Sequence, residues 1–115
     1  APYSNFLVGA SFKLEGADEY VNGCNVENGS YGATVCAERV AIWNWASSLR
    51  KEKSLEFAVL VTDTTDPVAT PCGQCLQVMS EFLSPEFPVY ISNLKGIQKE
   101  MKLKELLPNM FKLNP

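Results

Sequence analysis

A chain of 115 residues, 46% apolar and 20% charged, is long enough to bury a core and too apolar to stay disordered. Its net charge of −3 and its one short basic patch, Arg50-Lys51-Glu52-Lys53, argue against a nucleic-acid polymer as partner. The absence of histidine excludes Ser-His-Asp triads, Cys-His nucleophiles and His-ligated metals, so acid–base chemistry must come from a carboxylate, Lys, Tyr or Cys.

The expectation is a single domain over residues 1–115. Phe6, Val8, Ala10, Phe12 and Leu14 alternate, which predicts a half-buried strand over Phe6 to Leu14. Gly16-Ala17-Asp18 reads as a turn and Tyr20 to Val26 as a second strand, giving a hairpin. After a loop at Asn28-Gly29-Ser30-Tyr31-Gly32, a helix is predicted from Thr34 to Leu49, with Thr34 near its cap and Val40, Trp43, Ala46 and Leu49 as its apolar face. The apolar run Phe57-Ala58-Val59-Leu60-Val61 predicts a strand over Glu56 to Asp63 buried on both faces. A loop covers Asp63 to Thr70. Pro71 opens a second helix with Leu76, Met79, Phe82 and Leu83 on its apolar side, and Pro85 and Pro88 end it. Val89-Tyr90-Ile91 is a short strand, Ile97 to Leu103 a weak last strand, and Glu105-Leu106-Leu107 a short terminal helix. The order predicts an α/β domain with a mixed sheet, whose strand–helix–strand–helix–strand part runs parallel.

No run of about 18 apolar residues exists, so no membrane span is expected. No secretory leader is recognisable, which places the expectation in the cytoplasm. Disulfides are rare there, so the four cysteines read first as metal or redox groups.

Two cysteine motifs stand at equivalent places. Cys36-Ala37-Glu38 lies at the start of the first predicted helix, and Pro71-Cys72-Gly73-Gln74-Cys75 opens the second. Helix starts carry free N–H groups and partial positive charge, which favour thiolate, the metal-binding form. Cys36, Cys72 and Cys75 would supply three ligands for one Zn²⁺ per chain and leave the fourth position open for water, the catalytic pattern. Three thiolates leave such a site with a formal charge of −1, and Arg39 is placed to compensate it. Glu38, two positions after a ligand, is the candidate for proton transfer. The zinc nucleoside and nucleobase deaminases have this pattern, with a non-ligand Glu beside the metal.

Each member has a plainer explanation. Cys-x-x-Cys can be a redox pair, and a structural zinc could take Cys24 as its fourth ligand. Cys24 alone reads as a small buried apolar residue, Glu38 as an acid favoured by the helix dipole, and Arg39 as a surface cation. The combination is more specific than any part.

On these residues the chain resembles the small all-cysteine cytidine deaminases. The matching stretches are Pro2-Tyr3-Ser4-Asn5-Phe6 with Val8-Gly9-Ala10, Gly23-Cys24-Asn25-Val26-Glu27-Asn28, Tyr31-Gly32, Cys36-Ala37-Glu38-Arg39, Pro71-Cys72-Gly73-Gln74-Cys75 and Leu106-Leu107-Pro108. The resemblance implies a three-layer sandwich around a roughly five-stranded mixed sheet, built from an N-terminal hairpin and parallel strands. The helix that the family places before the first shared motif has no counterpart in the sequence, so one sheet face is expected to be less covered. It implies hydrolysis of cytidine and deoxycytidine to uridine and deoxyuridine with release of ammonia, as in pyrimidine salvage. Phe6 would then pack on the base, Asn25 and Glu27 would bind sugar hydroxyls, and the Ala37 backbone would line the pyrimidine pocket. All-cysteine members are homotetramers, in which Tyr31 and Phe111 would approach a neighbouring subunit's site. Asn25 and Glu27 also suit ordinary turn chemistry. The family usually has Arg where Leu76 stands. Two other functions share the cysteine motifs: a deaminase of a nucleoside antibiotic such as blasticidin S, and a non-catalytic zinc or redox module.

Overall fold

Alternation in the first strand does what it predicts from Val8 onward, while Phe6, expected to begin the strand, precedes it and is 39% exposed. Ala10, Phe12 and Leu14 are buried on one face of β1 (Val8–Leu14), and β2 (Tyr20–Cys24) pairs with it antiparallel around the turn at Gly16, whose φ is +74°. The computed structural model describes residues 1–64 and 68–113, so residues 65–67 of the loop expected over Asp63 to Thr70 lie outside the described residues. After the hairpin come α1 (Ala37–Ala46), β3 (Leu55–Thr62), α2 (Gly73–Phe82), β4 (Pro88–Asn93), β5 (Gly96–Lys102) and α3 (Leu103–Leu106).

The five strands form one mixed sheet in the order β2-β1-β3-β4-β5, which bears out the expected α/β class. Only β3 and β4 are parallel neighbours; β1 is antiparallel to both β2 and β3, and β5 returns antiparallel to β4. The parallel run expected across three strands is thus interrupted, because β1 lies between β2 and β3. The hairpin supplies the neighbour that a crossover would otherwise have supplied.

The buried apolar residues make a single cluster, with Phe12 and Leu14 from β1, Ile42 from α1, Met79 from α2, Ile91 from β4 and Leu103 from α3 all at 1% exposure or less. Burying each such side chain contributes about 1.5–3 kcal/mol. The sheet's helix-covered face carries this core. On the opposite face β3 presents Phe57, Val59 and Val61 half-buried, so the strand is buried on one face, not two. Tyr20, Phe57 and Tyr90 meet edge to face there, with ring centroids 6.2 and 5.5 Å apart. Cys24 pairs with Gly9 at the end of β2 and is exposed, which corrects its reading as a buried residue.

The face of α1 is also corrected. Ala37, Glu38, Ala41, Ile42 and Trp45 are buried, while Trp43 is 44% and Leu49 88% exposed. The helix is apolar nearly all round, so periodicity alone does not choose its inner face. Close approach chooses it. A Cβ on Gly23 would lie 2.6 Å from the Ala41 nitrogen and 2.7 Å from the Ala37 carbonyl oxygen, so the glycine lets α1 settle onto β2 by its two alanines. In α2, Leu76 and Met79 face the core as expected and Leu83 caps it; Phe82 is 42% exposed and packs its ring edge-on against Trp45 at 5.8 Å.

Candidate active site

Both helices that carry the cysteine motifs start on an extended residue, and in both that residue is a cysteine. Cys36 caps α1 with φ −72° and ψ 155°; Cys72 caps α2 with φ −74° and ψ 167°. Thr34 and Pro71 therefore precede their helices by more than expected; the Thr34 hydroxyl instead accepts from the Asn28 amide. The Val26–Val35 bridge leads the chain from the hairpin directly to Cys36. Neither side chain makes a geometric capping hydrogen bond, and both sulfurs lie beside the N–H groups of the first turns.

The three sulfurs meet. Cys36 and Cys72 are 4.0 Å apart, Cys72 and Cys75 are 3.5 Å apart, and all three lie within 4.8 Å of one another. Tetrahedral Zn–S bonds of about 2.3 Å put sulfurs about 3.8 Å apart, so the spacing fits one zinc ion. The charges fit as well. Burial pushes the Cys72 thiol up, but the amides of Cys75 and Gln74 and the neighbouring thiols outweigh it and leave Cys72 below the usual thiol range. Burial pushes Cys75 well above that range, and the Glu38 charge adds to it. Three sulfurs so placed become thiolate together only around a cation. Cys24 lines a different cavity, shared with Leu7 and Leu94, so the three-cysteine cluster has no fourth thiol.

Arg39 leans on this cluster. Its guanidinium donates to the Cys36 sulfur at 3.5 Å and lies 5.9 Å from the centre of the Trp43 ring. The bond to Cys36 also holds Arg39 in its charged form. Glu38 is 5% exposed, and that burial raises its carboxyl above the usual range, against the pull of its own amide, Cys75 and Arg39.

A cavity of ≈ 180 Å³ opens over the sulfurs. Of the residues singled out in the sequence, Phe6, Asn25, Cys36, Ala37, Glu38 and Cys72 line it. Thr62, Ala69 and Thr70 line it too and carried no sequence signal beyond their place at a strand end or loop. Glu27 and Tyr31 lie in a neighbouring crevice with Tyr3, Ser4 and Asn28. Phe111 is 64% exposed, with its carbonyl accepting from Gln77, and does not line the cavity. Leu76, where the family usually has Arg, is buried in the core.

Three thiols on two helix starts, one buried carboxyl and an adjoining cavity fit the pattern of a zinc hydrolase site, in which such a carboxyl is not a ligand. The sequence model for the cytidine and deoxycytidylate deaminase zinc-binding region matches residues 1–91. A cytidine deaminase of Sporosarcina psychrophila is 45% identical over 110 residues, 96% of this chain and 78% of that protein. One of Halalkalibacterium halodurans is 42% identical over the same share of the chain and 80% of its own length. The crystal structure of a cytidine deaminase from Burkholderia pseudomallei superposes with a TM-score of 0.83 at 38% identity, covering 96% of this chain and 86% of that one. The chain belongs to the zinc-dependent cytidine deaminase family. Nothing in these comparisons favours the antibiotic-deaminase or redox-module alternatives. Among the described residues no helix is long and apolar enough to cross a membrane.

Proposed function

We propose that the chain hydrolyses cytidine and deoxycytidine to uridine and deoxyuridine, releasing ammonia. The observation that carries this is the Glu38 carboxyl, 5% exposed, on the wall of a cavity whose floor is Cys36 and Cys72. In this reading Cys36, Cys72 and Cys75 hold one zinc ion per chain. Zinc, when bound, supplies the Lewis acidity that makes water a nucleophile near neutral pH.

The chain's own residues do the rest. Glu38 takes a proton from the attacking water, gives it to a ring nitrogen of the pyrimidine, and then moves the proton of the newly added hydroxyl to the departing amine. Burial suits it to this, because a carboxyl held above its ordinary range carries a proton closer to neutral pH. Phe6 packs on the base and the Ala37 backbone lines the pyrimidine pocket; both residues border the cavity. Asn25 and Glu27 take the sugar hydroxyls. Asn25 reaches the cavity directly, and Glu27 stands two residues along the same extended segment. Arg39 offsets the charge of the thiolates.

The net charge of −3 supports a free nucleoside rather than a polynucleotide as substrate. The surface supports a homotetramer. Tyr31, Phe111 and Leu49 are 80%, 64% and 88% exposed in one chain, and Tyr31 and Phe111 are the residues the resemblance places against a neighbour. We place this one catalytic domain in the cytoplasm, consistent with cysteines that are all free.

The test is zinc content and cytidine turnover on one sample. One zinc per chain, loss of the cytidine absorbance band, stoichiometric ammonia and inhibition by hydrated pyrimidine analogues are expected. A zinc-loaded chain that turns over neither cytidine nor deoxycytidine refutes the proposal. Sedimentation of the same sample at four chain masses checks the assembly.

A further inference from the structure

The two side chains assigned above to the sugar are already holding something. The Glu27 carboxylate accepts from the Tyr3 amide at 2.8 Å, from the Ser4 amide at 3.1 Å and from the Ser4 hydroxyl. The Asn25 amide accepts from the Val8 nitrogen at 3.0 Å and donates to the Phe6 carbonyl at 2.8 Å. Residues 3–8 are therefore clamped at both ends by Glu27 and Asn25.

Between the clamps the backbone turns sharply. Asn5 has φ +59°, in the left-handed region that Asn enters more readily than other residues with a Cβ. The Asn5 amide closes a turn onto the Ala1 carbonyl at 2.9 Å. The Ser4 hydroxyl sits at the centre. It donates to Glu27 and accepts from the Phe6 amide at 3.0 Å, so one oxygen connects the sugar-binding carboxylate to the residue whose ring borders the cavity.

The bookkeeping of lone pairs leaves room for substrate. An ionised carboxylate offers about four acceptor positions, and these contacts fill three. Asn25 keeps one donor and one acceptor. The same contacts, Ser4 foremost, hold Glu27 below the usual carboxylate range, so it stays ionised and ready to accept a hydroxyl.

We propose that Ser4 is a positioning residue that makes residues 3–6 a strap, coupling sugar binding at Glu27 to the presentation of Phe6 to the base. The proposal rests on the nucleoside reading above. Loss of the Ser4 hydroxyl frees the turn at Asn5, loosens Phe6 and leaves Glu27 to reorient, without touching the sulfurs or Glu38. The effect is on nucleoside binding, not on the chemical step.

The experiment is steady-state kinetics of zinc-loaded wild type, Ser4→Ala and Ser4→Thr on cytidine, with amide hydrogen exchange on each. Ser4→Ala should raise KM about tenfold with kcat little changed, the size of one lost hydrogen bond to a charged group. Ser4→Thr, which keeps a hydroxyl, should restore KM. Exchange in Ser4→Ala should quicken at residues 3–6 and stay unchanged in α1 and α2. Wild-type KM in Ser4→Ala, a fall in kcat at constant KM, failure of the Thr rescue, or faster exchange throughout the core each overturns the proposal. A wild type inactive on cytidine instead refutes the nucleoside reading, so the two failures are distinguishable.

Discussion

Gly23→Ala tests the link between the fold and the site. The added Cβ would fall 2.6 Å from the Ala41 nitrogen, 2.7 Å from the Ala37 carbonyl oxygen and 3.0 Å from the Ala41 Cα. Ordinary contact begins near 3.4 Å, so α1 and β2 must separate by several tenths of an ångström. All three obstacles are backbone, and no side-chain rotation relieves them. Overpacking of this kind costs about 3 kcal/mol, the upper part of its usual range. At an m-value of about 2 kcal/mol/M, the urea midpoint falls by about 1.5 M. The site should feel the same shift, because Cys36 and Glu38 ride on the first turn of α1 while Cys72 and Cys75 ride on α2. Zinc affinity, measured by competition with a chelator, should fall along with stability. Gly9→Ala is the control: nothing lies within 4 Å of a Cβ there, and the midpoint should not move. A Gly23→Ala protein with the wild-type midpoint and zinc affinity would refute the claim that this contact seats α1 and positions the sulfurs.

Three further outcomes are expected. Glu38→Gln should keep its zinc and lose about 10²–10⁴-fold in kcat, the usual worth of acid–base assistance; a fully active variant would remove Glu38 from the mechanism. Arg39→Gln should weaken zinc binding about tenfold, as expected for a lost hydrogen bond to a charged sulfur, with the unfolding midpoint of the zinc-free protein unchanged. Acid stability should depend on Glu86, whose carboxyl Lys104 and Lys102 hold down at about 2 against an ordinary 4.5. A lowered folded-state pKa stabilises above the unfolded value, so this contribution is present above pH 4.5 and disappears as pH falls toward 2. In Glu86→Gln the melting temperature should lose less across that window than in wild type, and high salt should shrink the difference, since the pair is exposed.

Much of the fold was legible because strong patterns met no competitor. The alternation of Ala10, Phe12 and Leu14 has one interpretation, and so does the pair of prolines that ends α2. The inner face of α1 was not legible, since Val40, Ile42, Trp43 and Trp45 spread apolar surface over the whole helix. The choice lay in Gly23, fourteen residues before the helix begins, and no local period records a contact with another element. Burial of β3 failed for a related reason: a run such as Phe57 to Val61 tells how apolar a strand is, not whether a layer lies on each side. At the site the cysteines were legible because thiols at two helix starts have few uses in common. Thr62 and Thr70 on the cavity wall were not, because ordinary residues become part of a site only through the loop that brings them there.

The sulfurs explain why this site needs its particular surroundings. Thiolates bind zinc tightly but leave the ion with little net charge to polarise water, so a three-cysteine site must recover positive potential elsewhere. The chain has two arginines, and Arg50 is committed to Glu19 at 3.8 Å on the far side of the hairpin. With Leu76 buried where the family usually carries a guanidinium, Arg39 is the arginine left to lie against the thiols, and it is held there from two sides by Cys36 and the Trp43 ring. The remaining potential comes from the two helix starts that carry Cys36 and Cys72. Trp43, which is out of place if α1 is judged only by its core contacts, thus has a reason to stand on the outer face: from there it backs Arg39, the side chain proposed to balance the thiolates.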